Sequence, residues 1–355
     1  MELFAVIMAG GIGARFWPRS KKKSPKQLLK IVGEKTMIQE TFKRINGLVP
    51  KENILIVTNE TQKPGIMEQL PAIPVENIIV EPFGRNTAAC IGLASIIIKQ
   101  RSPDAVTFVI PADHIIGNNE SFINTLKAAA KFSFENQALV TIGIQPSKPE
   151  TGYGYIQIDE DSGKNDVYKV LTFAEKPNYS TAVNFIKSGD FFWNSGMFIW
   201  KIDTILNEIN QLMPDLFEGL VQIKEEISNP DFPKILSEIY GHLKSISIDY
   251  GIMEKSDKVH LVKGQFSWSD VGSWEAVYVL SDKDEDGNVK VGTVYTDMAL
   301  DSYIYSPDKF TAVIGLDNLI VINSKDALLI CKRDKAQDVK NVIDYLKLHK
   351  LKDLL

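Results

Sequence analysis

Residues 3–18 read LFAVIMAGGIGARFWP, and this stretch decides the fold. Its first six residues are all apolar, which is typical of a strand buried on both faces of a parallel sheet. Glycines follow at once, and they allow backbone N–H groups to approach phosphate oxygens closely. The stretch therefore predicts a buried parallel strand that leads into an anion-binding loop.

The loop differs from two common phosphate-binding patterns. The dinucleotide fingerprint needs a glycine where this chain has Phe16, and the G-x-x-x-x-G-K-[ST] pattern is absent from the sequence. Two cations, Arg15 and Lys26, accompany the glycines. The glycines alone would fit a plain structural turn, but cations beside a phosphate-sized cradle suit a polyphosphate. We therefore favour an anion site.

Strands and helices alternate through the first half of the chain. The predicted strands cover residues 3–8, 53–58, 77–80, 105–110 and 139–144. The predicted helices cover residues 36–47, 87–101 and 120–134, and the first begins with a Thr36/Gln39 capping box. Strands separated by helices of this length predict an α/β fold with a doubly wound, mostly parallel sheet.

The second half has a different pattern. Residues 152–156 and 167–173 look like strands of an inserted mixed sheet, and helical segments follow between residues 180 and 240. A charged, turn-rich stretch at 282–288 predicts a boundary between a first domain, 1–282, and a second, 283–355. The second domain is predicted to be a small β unit that ends in an amphipathic helix. Its predicted strands cover residues 291–295, 302–305, 311–314, 319–322 and 327–331, and its helix covers 334–350.

The composition excludes several classes of protein. The 355 residues carry 40 Lys and Arg against 45 Asp and Glu, a net charge of −5, which disfavours tight non-specific binding to nucleic acid. Hydrophobic residues make up 44%, enough to exclude disorder as the main state. The stretch MELF at residues 1–4 carries an acid where a signal peptide needs basic residues, so we expect no signal peptide, and the sequence shows no apolar run of about 18 residues and no disulfide framework. We expect a reduced, cytoplasmic protein that binds neither nucleic acid nor membrane.

Residues 81–88 read EPFGRNTA and lie where a predicted strand ends and a helix begins. Ligands of open α/β sheets bind beyond the carboxyl ends of the strands. Arg85 and Asn86 offer donors and an acceptor that suit the edge of a nucleotide base. Asn86 or Thr87 would equally well cap the helix, so both interpretations stay open.

Two distant carboxylates are candidate metal ligands. Asp113 follows a predicted apolar strand, and Asp270 stands between Trp268 and Trp274. One carboxylate from each of two segments is a common way of holding Mg²⁺, which keeps water and substrate phosphates as its other ligands. For Asp113 alone, a turn or a helix cap is an equally good interpretation.

Three short motifs later in the chain carry polar groups. They read GYGY at 152–155, EKP at 175–177 and NSGMF at 194–198. Each alone has an ordinary structural explanation: a kinked strand, a surface ion pair and a turn. Together they supply a close backbone approach, a carboxylate, a lysine and an amide, which suit sugar hydroxyls and one phosphate.

Read together, these motifs resemble the sugar-1-phosphate nucleotidyltransferases. More narrowly, they resemble the members that act on GTP and α-D-mannose 1-phosphate, in the short form without an isomerase domain. Lys21 and Ala89 depart from the family pattern, which usually has arginine and proline there. The motifs that carry the resemblance run along the whole chain: residues 10–18, 25–27, 81–88, 111–114, 151–156, 173–177, 194–198 and 270–274.

The resemblance implies a fold, a reaction and a cofactor. The fold is a Rossmann-like nucleotide-binding domain followed by a short left-handed parallel β-helix, a unit often used in dimerisation, so a homodimer is expected. The reaction joins GTP and mannose 1-phosphate into GDP-mannose and releases pyrophosphate, with Mg²⁺ as cofactor. The sugar-phosphate oxygen attacks the α-phosphorus directly, because a phosphate monoester is already anionic and needs no general base.

The resemblance also implies roles for particular residues. Arg15 and Lys26 are the implied catalytic residues. The implied nucleotide-binding residues are Ala9, Gly10, Gly11, Gly13, Arg15, Lys26, Glu81, Arg85, Asn86, Thr87 and Asp113. The implied metal ligands are Asp113 and Asp270. Mannose 1-phosphate is implied to contact Gly154, Glu175 and Asn194, with Lys176 on its phosphate.

Three other functions compete with this one. The enzyme could use another base or sugar, such as UTP or dTTP with glucose 1-phosphate. The chain could be a regulatory subunit that binds a nucleotide sugar without turnover, although it keeps Arg15, Lys26, Asp113 and Asp270. A glycosyltransferase would normally show an Asp-x-Asp metal motif, whereas this chain has Asp113 followed by His114.

Overall fold

A computed structural model describes residues 1–164 and 166–355. Strands and helices alternate through its first half, as predicted. The strands are β1 Leu3–Met8, β2 Ile54–Asn59, β3 Ile78–Glu81, β4 Val106–Pro111, β5 Ile115–Ile116, β6 Leu139–Ile144, β7 Tyr155–Lys164, β8 Val167–Ala174, β9 Phe191–Lys201, β10 Val259–Gly264, β11 Trp268–Ser269, β12 Val289–Asp297, β13 Tyr303–Ile314, β14 Leu319–Asn323 and β15 Leu328–Lys332. The helices are α1 Met37–Ile45, α2 Lys63–Gln69, α3 Asn86–Arg101, α4 Asn119–Asn136, α5 Tyr179–Ser188, α6 Ile202–Leu212, α7 Pro214–Glu226, α8 Phe232–His242, α9 Trp274–Leu280 and α10 Lys340–Leu348.

The large sheet has nine strands in the order β3-β2-β1-β4-β9-β6-β10-β8-β7. β1 pairs in parallel with β2 and β4, and β10 pairs in parallel with β6. β9 lies antiparallel between β4 and β6, and β8 is antiparallel to β10 and β7. The prediction of a mostly parallel sheet is confirmed, with β8 and β9 as the reversed strands.

Helices cover both faces of this sheet, which is why β1 is apolar throughout. Successive side chains of a strand point to opposite faces. Ala5 and Ile7 accordingly pack in one core with α1, α2 and α4, whereas Phe4 and Val6 pack in a second core with α3, α6, α7 and α8. The layering is therefore α/β/α, and the doubly wound prediction is confirmed.

One edge of the sheet positions the chemistry. Met8 at the end of β1 lies opposite Pro111 at the end of β4. The glycine loop that follows β1 is therefore beside the segment that contains Asp113. Residues 81–88 begin at the last residue of β3, two strands away from β1 at the same edge. This is the edge at which ligands of open α/β sheets bind.

Six of the strands and helices named above in the first domain are missing from the sequence prediction. They are α2, β5, β9, β10, β11 and α9. The helical segments expected between residues 180 and 240 are present as α5 to α8, but the prediction missed β9, which occupies Phe191–Lys201 among them. Its sequence is aromatic and apolar along most of its length and it is buried on both faces, so it lacks the alternation that marks an exposed strand.

The C-terminal unit is a four-stranded sheet in the order β12-β13-β14-β15, with the first three strands parallel. Two separate strands were expected at 302–305 and 311–314, but they are one strand, β13. The register of β12 against β13 shifts after Gly292, whose φ is 95° and which lies against the Ser306 backbone. The predicted terminal helix begins as a 3₁₀ segment, Arg333–Val339, and continues as α10. The domain boundary after residue 282 stays a prediction.

A third core cluster joins the two halves of the molecule. Phe16 and Trp17 after the glycine loop pack with Trp274 of α9 and with Tyr303 of β13. The indole N–H of Trp274 donates to the Trp17 carbonyl (3.2 Å), and that of Trp17 donates to the Leu354 carbonyl (2.9 Å). The C-terminal unit therefore supports the back of the glycine loop.

Candidate active site

The glycine loop is shaped by a close approach to Lys26. Gly13 has a φ of 69°, a left-handed conformation that favours glycine. A Cβ atom at Gly13 would lie 2.5 Å from the Cβ of Lys26, which is too close for any side chain. Gly11 has open space where a Cβ would be. Gly13 is thus required by backbone geometry, and Gly11 leaves room for a ligand.

Two buried amides hold the loop by its carbonyl oxygens. Gln27 Nε2 donates to the carbonyls of Ala9 (2.9 Å) and Gly11 (3.0 Å), and Gln62 Nε2 donates to Gly11 (3.1 Å). Within residues 1–164 and 166–355, the N–H groups of Gly10, Gly11 and Gly13 donate no hydrogen bond. The loop therefore presents free N–H donors, which an anion can accept.

Lys26 is a buried cation between two acidic segments. Its side chain is 5% exposed, and its ammonium lies 2.9 Å from Asp113 Oδ2 and 2.5 Å from the Asp270 carbonyl oxygen. Burying an ammonium is costly unless it is paired, so these contacts fix its position. Burial tends to raise the pKa of Asp113, but Lys26 and other neighbouring groups together outweigh burial and hold that pKa below its ordinary value.

Aromatic side chains surround Asp270 and Asp113. The Tyr153 hydroxyl donates to Asp270 Oδ1 at 2.6 Å, and burial and Asp270 raise the pKa of Tyr153, so this hydroxyl stays protonated. The Trp268 indole donates to His114 Nδ1 at 3.2 Å. Burial lowers the pKa of His114, which agrees with a neutral ring that accepts at Nδ1. Tyr153 and His114 belong to predicted motifs, but no sequence pattern assigned these contacts to them.

Part of the glycine loop, Lys26, Asp113 and Asp270 line one cavity of about 410 Å³. Its lining residues are Gly13, Ala14, Arg15, Phe16, Lys26, Asp113, His114, Asp270, Val271, Gly272 and Lys340. The structure thus brings together five predicted site residues that are up to 257 positions apart in sequence: Gly13, Arg15, Lys26, Asp113 and Asp270. A cavity with cations, carboxylates and a free glycine backbone can hold a polyphosphate.

The donor set fits Mg²⁺ better than a transition metal. No cluster of three or more His, Cys, Asp or Glu side chains that could hold a metal occurs in the described part of the chain. Mg²⁺ needs only one or two carboxylates, because water and substrate phosphates complete its shell. Asp113 and Asp270 supply two carboxylates to one cavity, so the predicted metal ligands fit this ion.

A second cavity of about 320 Å³ borders the loop at Gly10 and Ile12. It is lined by Gly10, Ile12, Lys22, Asn59, Thr61, Gln62, Glu81, Pro82, Phe83 and Gly84. Burial raises the pKa of Glu81 to about 7, although hydrogen bonds from Tyr240 and Cys90 oppose the shift. Gly10 and Glu81 therefore share a cavity next to the phosphate loop, in a position suited to a nucleoside.

The other predicted nucleotide residues after β3 pack elsewhere. Arg85 donates to the backbone carbonyls of Tyr240 and Gly241, and Thr87 Oγ1 accepts from the Ile248 N–H at 2.8 Å. The exposed Asn86 side chain accepts from the Thr87 N–H at 2.9 Å. Arg85 and Thr87 thus tie the start of α3 to residues 240–248. Their contact with a base stays a prediction.

The residues predicted to bind the sugar phosphate form a third group. A Cβ atom at Gly154 would lie 2.5 Å from Glu175 Oε2 and 3.4 Å from the Cβ of Asn194, so these three residues meet. Lys176 forms an ion pair with Glu175. The Lys176 N–H also donates to the Tyr153 carbonyl at 3.2 Å, so the group adjoins the first cavity.

Asp249 is a further polar residue of this group, and the sequence-based prediction missed it. Asn194 Nδ2 donates to Asp249 Oδ1 at 2.7 Å, and Asn194 Oδ1 accepts from the Gly196 N–H at 3.0 Å. Burial raises the pKa of Asp249 above its ordinary value. Asp249 thereby orients the Asn194 amide. Asp249 lies in no motif and on a short helical turn, so no sequence signal pointed to it.

Comparison with protein families gives matches to both halves of the chain. Residues 4–287 match the model described as nucleotidyl transferase. Residues 294–346 match the MannoseP isomerase/GMP-like beta-helix domain. The second match agrees with the β-helix that the sequence resemblance implied for the C-terminal unit.

Individual relatives cover nearly the whole chain. A mannose-1-phosphate guanylyltransferase from Salmonella typhimurium is 40% identical over 353 residues, which are 98% of this chain and 73% of the relative. A second from Salmonella muenchen is 41% identical over 352 residues, 98% of this chain and 74% of the relative. A crystal structure from Thermus thermophilus, described as mannose-1-phosphate geranyltransferase, is 31% identical, with a TM-score of 0.89 and coverage of 98% and 100%. This chain is therefore an enzyme of the nucleotidyl transferase family, and it belongs with the mannose-1-phosphate guanylyltransferases.

Proposed function

We propose that this enzyme transfers GMP from GTP to α-D-mannose 1-phosphate and releases pyrophosphate. One observation carries the proposal most directly: Lys26, held between Asp113 and Asp270, opens onto the same cavity as the glycine loop. That arrangement can bring two anions together and neutralise them. The names of the relatives support guanine as the base and mannose 1-phosphate as the acceptor.

The residues act mainly by positioning and by charge. The free N–H groups of the glycine loop and the Arg15 guanidinium bind the triphosphate of GTP. The Lys26 ammonium neutralises the charge that spreads over the α-phosphate as the sugar-phosphate oxygen attacks in line. The sugar phosphate is already an anion, so the site needs no general base to activate it.

Asp113 and Asp270, which line one cavity, would hold Mg²⁺ there. When bound, the ion supplies positive charge and a template for the phosphate oxygens. The Tyr153 hydroxyl, which donates to Asp270 Oδ1, fixes the orientation of that carboxylate. Lys26 keeps Asp113 ionised, because it lowers the pKa of that carboxyl.

Mannose 1-phosphate would bind beside this cavity. Gly154 has no side chain, so the sugar ring can approach the backbone there. Glu175 accepts hydrogen bonds from the sugar hydroxyls, the Asn194 amide donates to them, and Lys176 binds the sugar phosphate. The contact of Gly154 with Glu175 and Asn194 supports this arrangement.

The nucleoside would bind in the cavity that contains Gly10 and Glu81. Guanine has N–H groups that donate hydrogen bonds, and a carboxylate can accept them, so Glu81 is suited to recognise this base. Arg85 and Thr87 would shape this end of the site through residues 240–248. A related enzyme that uses another nucleotide or sugar is the alternative.

The proposal includes a homodimer in the cytoplasm. Several apolar side chains of the C-terminal unit are exposed and could meet a second copy: Tyr295, Met298, Phe310, Ile314 and Ile330. Both cysteines are free thiols, which suits a reducing compartment. No helix in the described ranges has both the length and the apolarity to cross a membrane.

An assay of pyrophosphate release tests the function. GTP, ATP, UTP and dTTP are each incubated with mannose 1-phosphate, with and without Mg²⁺. We expect release to be fastest with GTP and to require both the sugar phosphate and the metal. Preference for another nucleotide would replace the guanine assignment. No release with any pair, from folded protein, would contradict the proposal.

A further inference from the structure

The C-terminal helix contributes a lysine to the active-site cavity. Lys340 is the first residue of α10, and it lines the 410 Å³ cavity together with Arg15 and Lys26. It lies 314 positions after Lys26 in sequence and belongs to the unit that follows the nucleotidyl transferase match. No sequence pattern indicated a role for it, because it lies within an ordinary amphipathic helix.

Buried contacts fix the backbone that carries Lys340. Ala336 and Val339, just before it, are 0% and 3% exposed. Both pack in the core cluster that contains Phe16 and Trp17. The start of α10 is therefore anchored directly behind the glycine loop. Lys340 itself is exposed, so its ammonium is free to meet a ligand in the cavity.

The charges in this cavity favour an additional anion. Lys26 is paired with Asp113. Arg15 and Lys340 form no ion pair within residues 1–164 and 166–355. Two cations without carboxylate partners then face the same space, and a polyphosphate carries enough charge and enough acceptor oxygens to engage both.

We propose that Lys340 binds the pyrophosphate portion of the nucleotide, and pyrophosphate itself in the reverse reaction. The C-terminal unit then completes the active site and does more than support it. This inference rests on the proposed function for its substrate, but its central claim concerns a polyphosphate and this chain's own lysine. Lys26 neutralises charge at the α-phosphate, whereas Lys340 and Arg15 bind the pyrophosphate that leaves.

A binding experiment tests Lys340 without requiring turnover. Inorganic pyrophosphate with Mg²⁺ is titrated into the full chain by calorimetry. We expect Lys340→Met to weaken binding about tenfold, because a hydrogen bond to a charged group is lost. Lys347→Met, on the same helix but outside the cavity, is the matched control and should bind as the wild type does. Lys340→Arg should restore most of the affinity.

Steady-state kinetics add a readout that a purely structural role would not change. In Lys340→Met we expect the KM values for GTP and pyrophosphate to rise about tenfold, with the KM for mannose 1-phosphate unchanged. Salt should weaken pyrophosphate binding less in this variant than in the wild type. Equal pyrophosphate affinity in Lys340→Met and Lys347→Met would overturn the proposal, as would a wild type that binds no pyrophosphate. A wild type that binds pyrophosphate through Lys340 but transfers no nucleotide would contradict the proposed function alone.

Discussion

At the scale of residues, the site depends on a buried ammonium that meets two acidic segments. Lys26 contacts the side chain of Asp113 but only the backbone carbonyl of Asp270. The Asp270 carboxylate is therefore left to Tyr153 and to a ligand. The carboxylate of Asp270 can therefore be tested separately from its backbone carbonyl, because a change of the side chain leaves the carbonyl in place.

Asp270→Asn should abolish most turnover without unfolding the protein. The amide oxygen can still accept from Tyr153, and the backbone carbonyl can still accept from Lys26, but the negative charge that holds Mg²⁺ is lost. We expect kcat to fall by about 100-fold or more, as when one transition-state contact is removed. Pyrophosphate release and thermal unfolding are measured together. Asp344→Asn, an exposed carboxylate on α10, serves as the control. Near-normal turnover in Asp270→Asn would remove Asp270 from the metal site.

The sequence could identify some of these residues but not their contacts. Arg15, Lys26, Asp113 and Asp270 lie in motifs whose residue types suit phosphate and metal, and the structure places them in one cavity. Arg85 and Thr87 lie in an equally clear motif, but they contact residues 240–248. A motif indicates that a segment matters; it does not indicate which way a side chain points.

At the scale of elements, periodicity predicted the strands and helices around β1 and failed at β9. The early strands are separated by amphipathic helices, so their order follows from the pattern. β9 is buried on both faces between β4 and β6, and it carries Asn194 within an aromatic run. Its pairing across the sheet depends on residues far away in sequence, which local patterns do not report.

The close contact between Gly154 and Glu175 gives a prediction for the segments that would border the sugar. In Gly154→Ala the new methyl group would lie 2.5 Å from Glu175 Oε2, so the Glu175 side chain must move. That side chain is flexible, so we expect the melting temperature to change little. We expect the KM for mannose 1-phosphate to rise about tenfold or more, with the KM for GTP unchanged.

Gly47→Ala is the matched control for this substitution. Gly47 follows α1, and a Cβ atom there meets nothing within 4 Å. Both variants are compared by initial rates at varied sugar phosphate. If Gly154→Ala and Gly47→Ala show the same KM for mannose 1-phosphate, Gly154 does not border the sugar.

At the scale of the whole molecule, one core cluster couples the two halves. Phe16 and Trp17 from the loop pack with Trp274 and with α10, so the C-terminal unit shares apolar contacts with the phosphate site. The predicted division after residue 282 describes the topology of the chain, but the core is continuous across it. We therefore expect the two halves to unfold together.

Leu346→Ala tests this coupling. Leu346 is 4% exposed in the shared cluster, whereas Leu348 on the same helix is 78% exposed. Truncating a buried leucine typically costs about 2–5 kcal/mol. We expect Leu346→Ala to lower the free energy of unfolding of the whole chain in a single urea transition, and Leu348→Ala to change it by less than about 0.5 kcal/mol. Two separate transitions in Leu346→Ala would show that the halves are independent.

The central claim is that a nucleotidyl group passes from GTP to a sugar phosphate. GTP radiolabelled at the α-phosphorus is incubated with the enzyme, mannose 1-phosphate and Mg²⁺, and the products are separated by chromatography. We predict that the label appears in GDP-mannose, that the released pyrophosphate is unlabelled, and that omitting the sugar phosphate prevents transfer. Label that stays in GTP, or that appears as free GMP whether or not the sugar phosphate is present, would contradict the account.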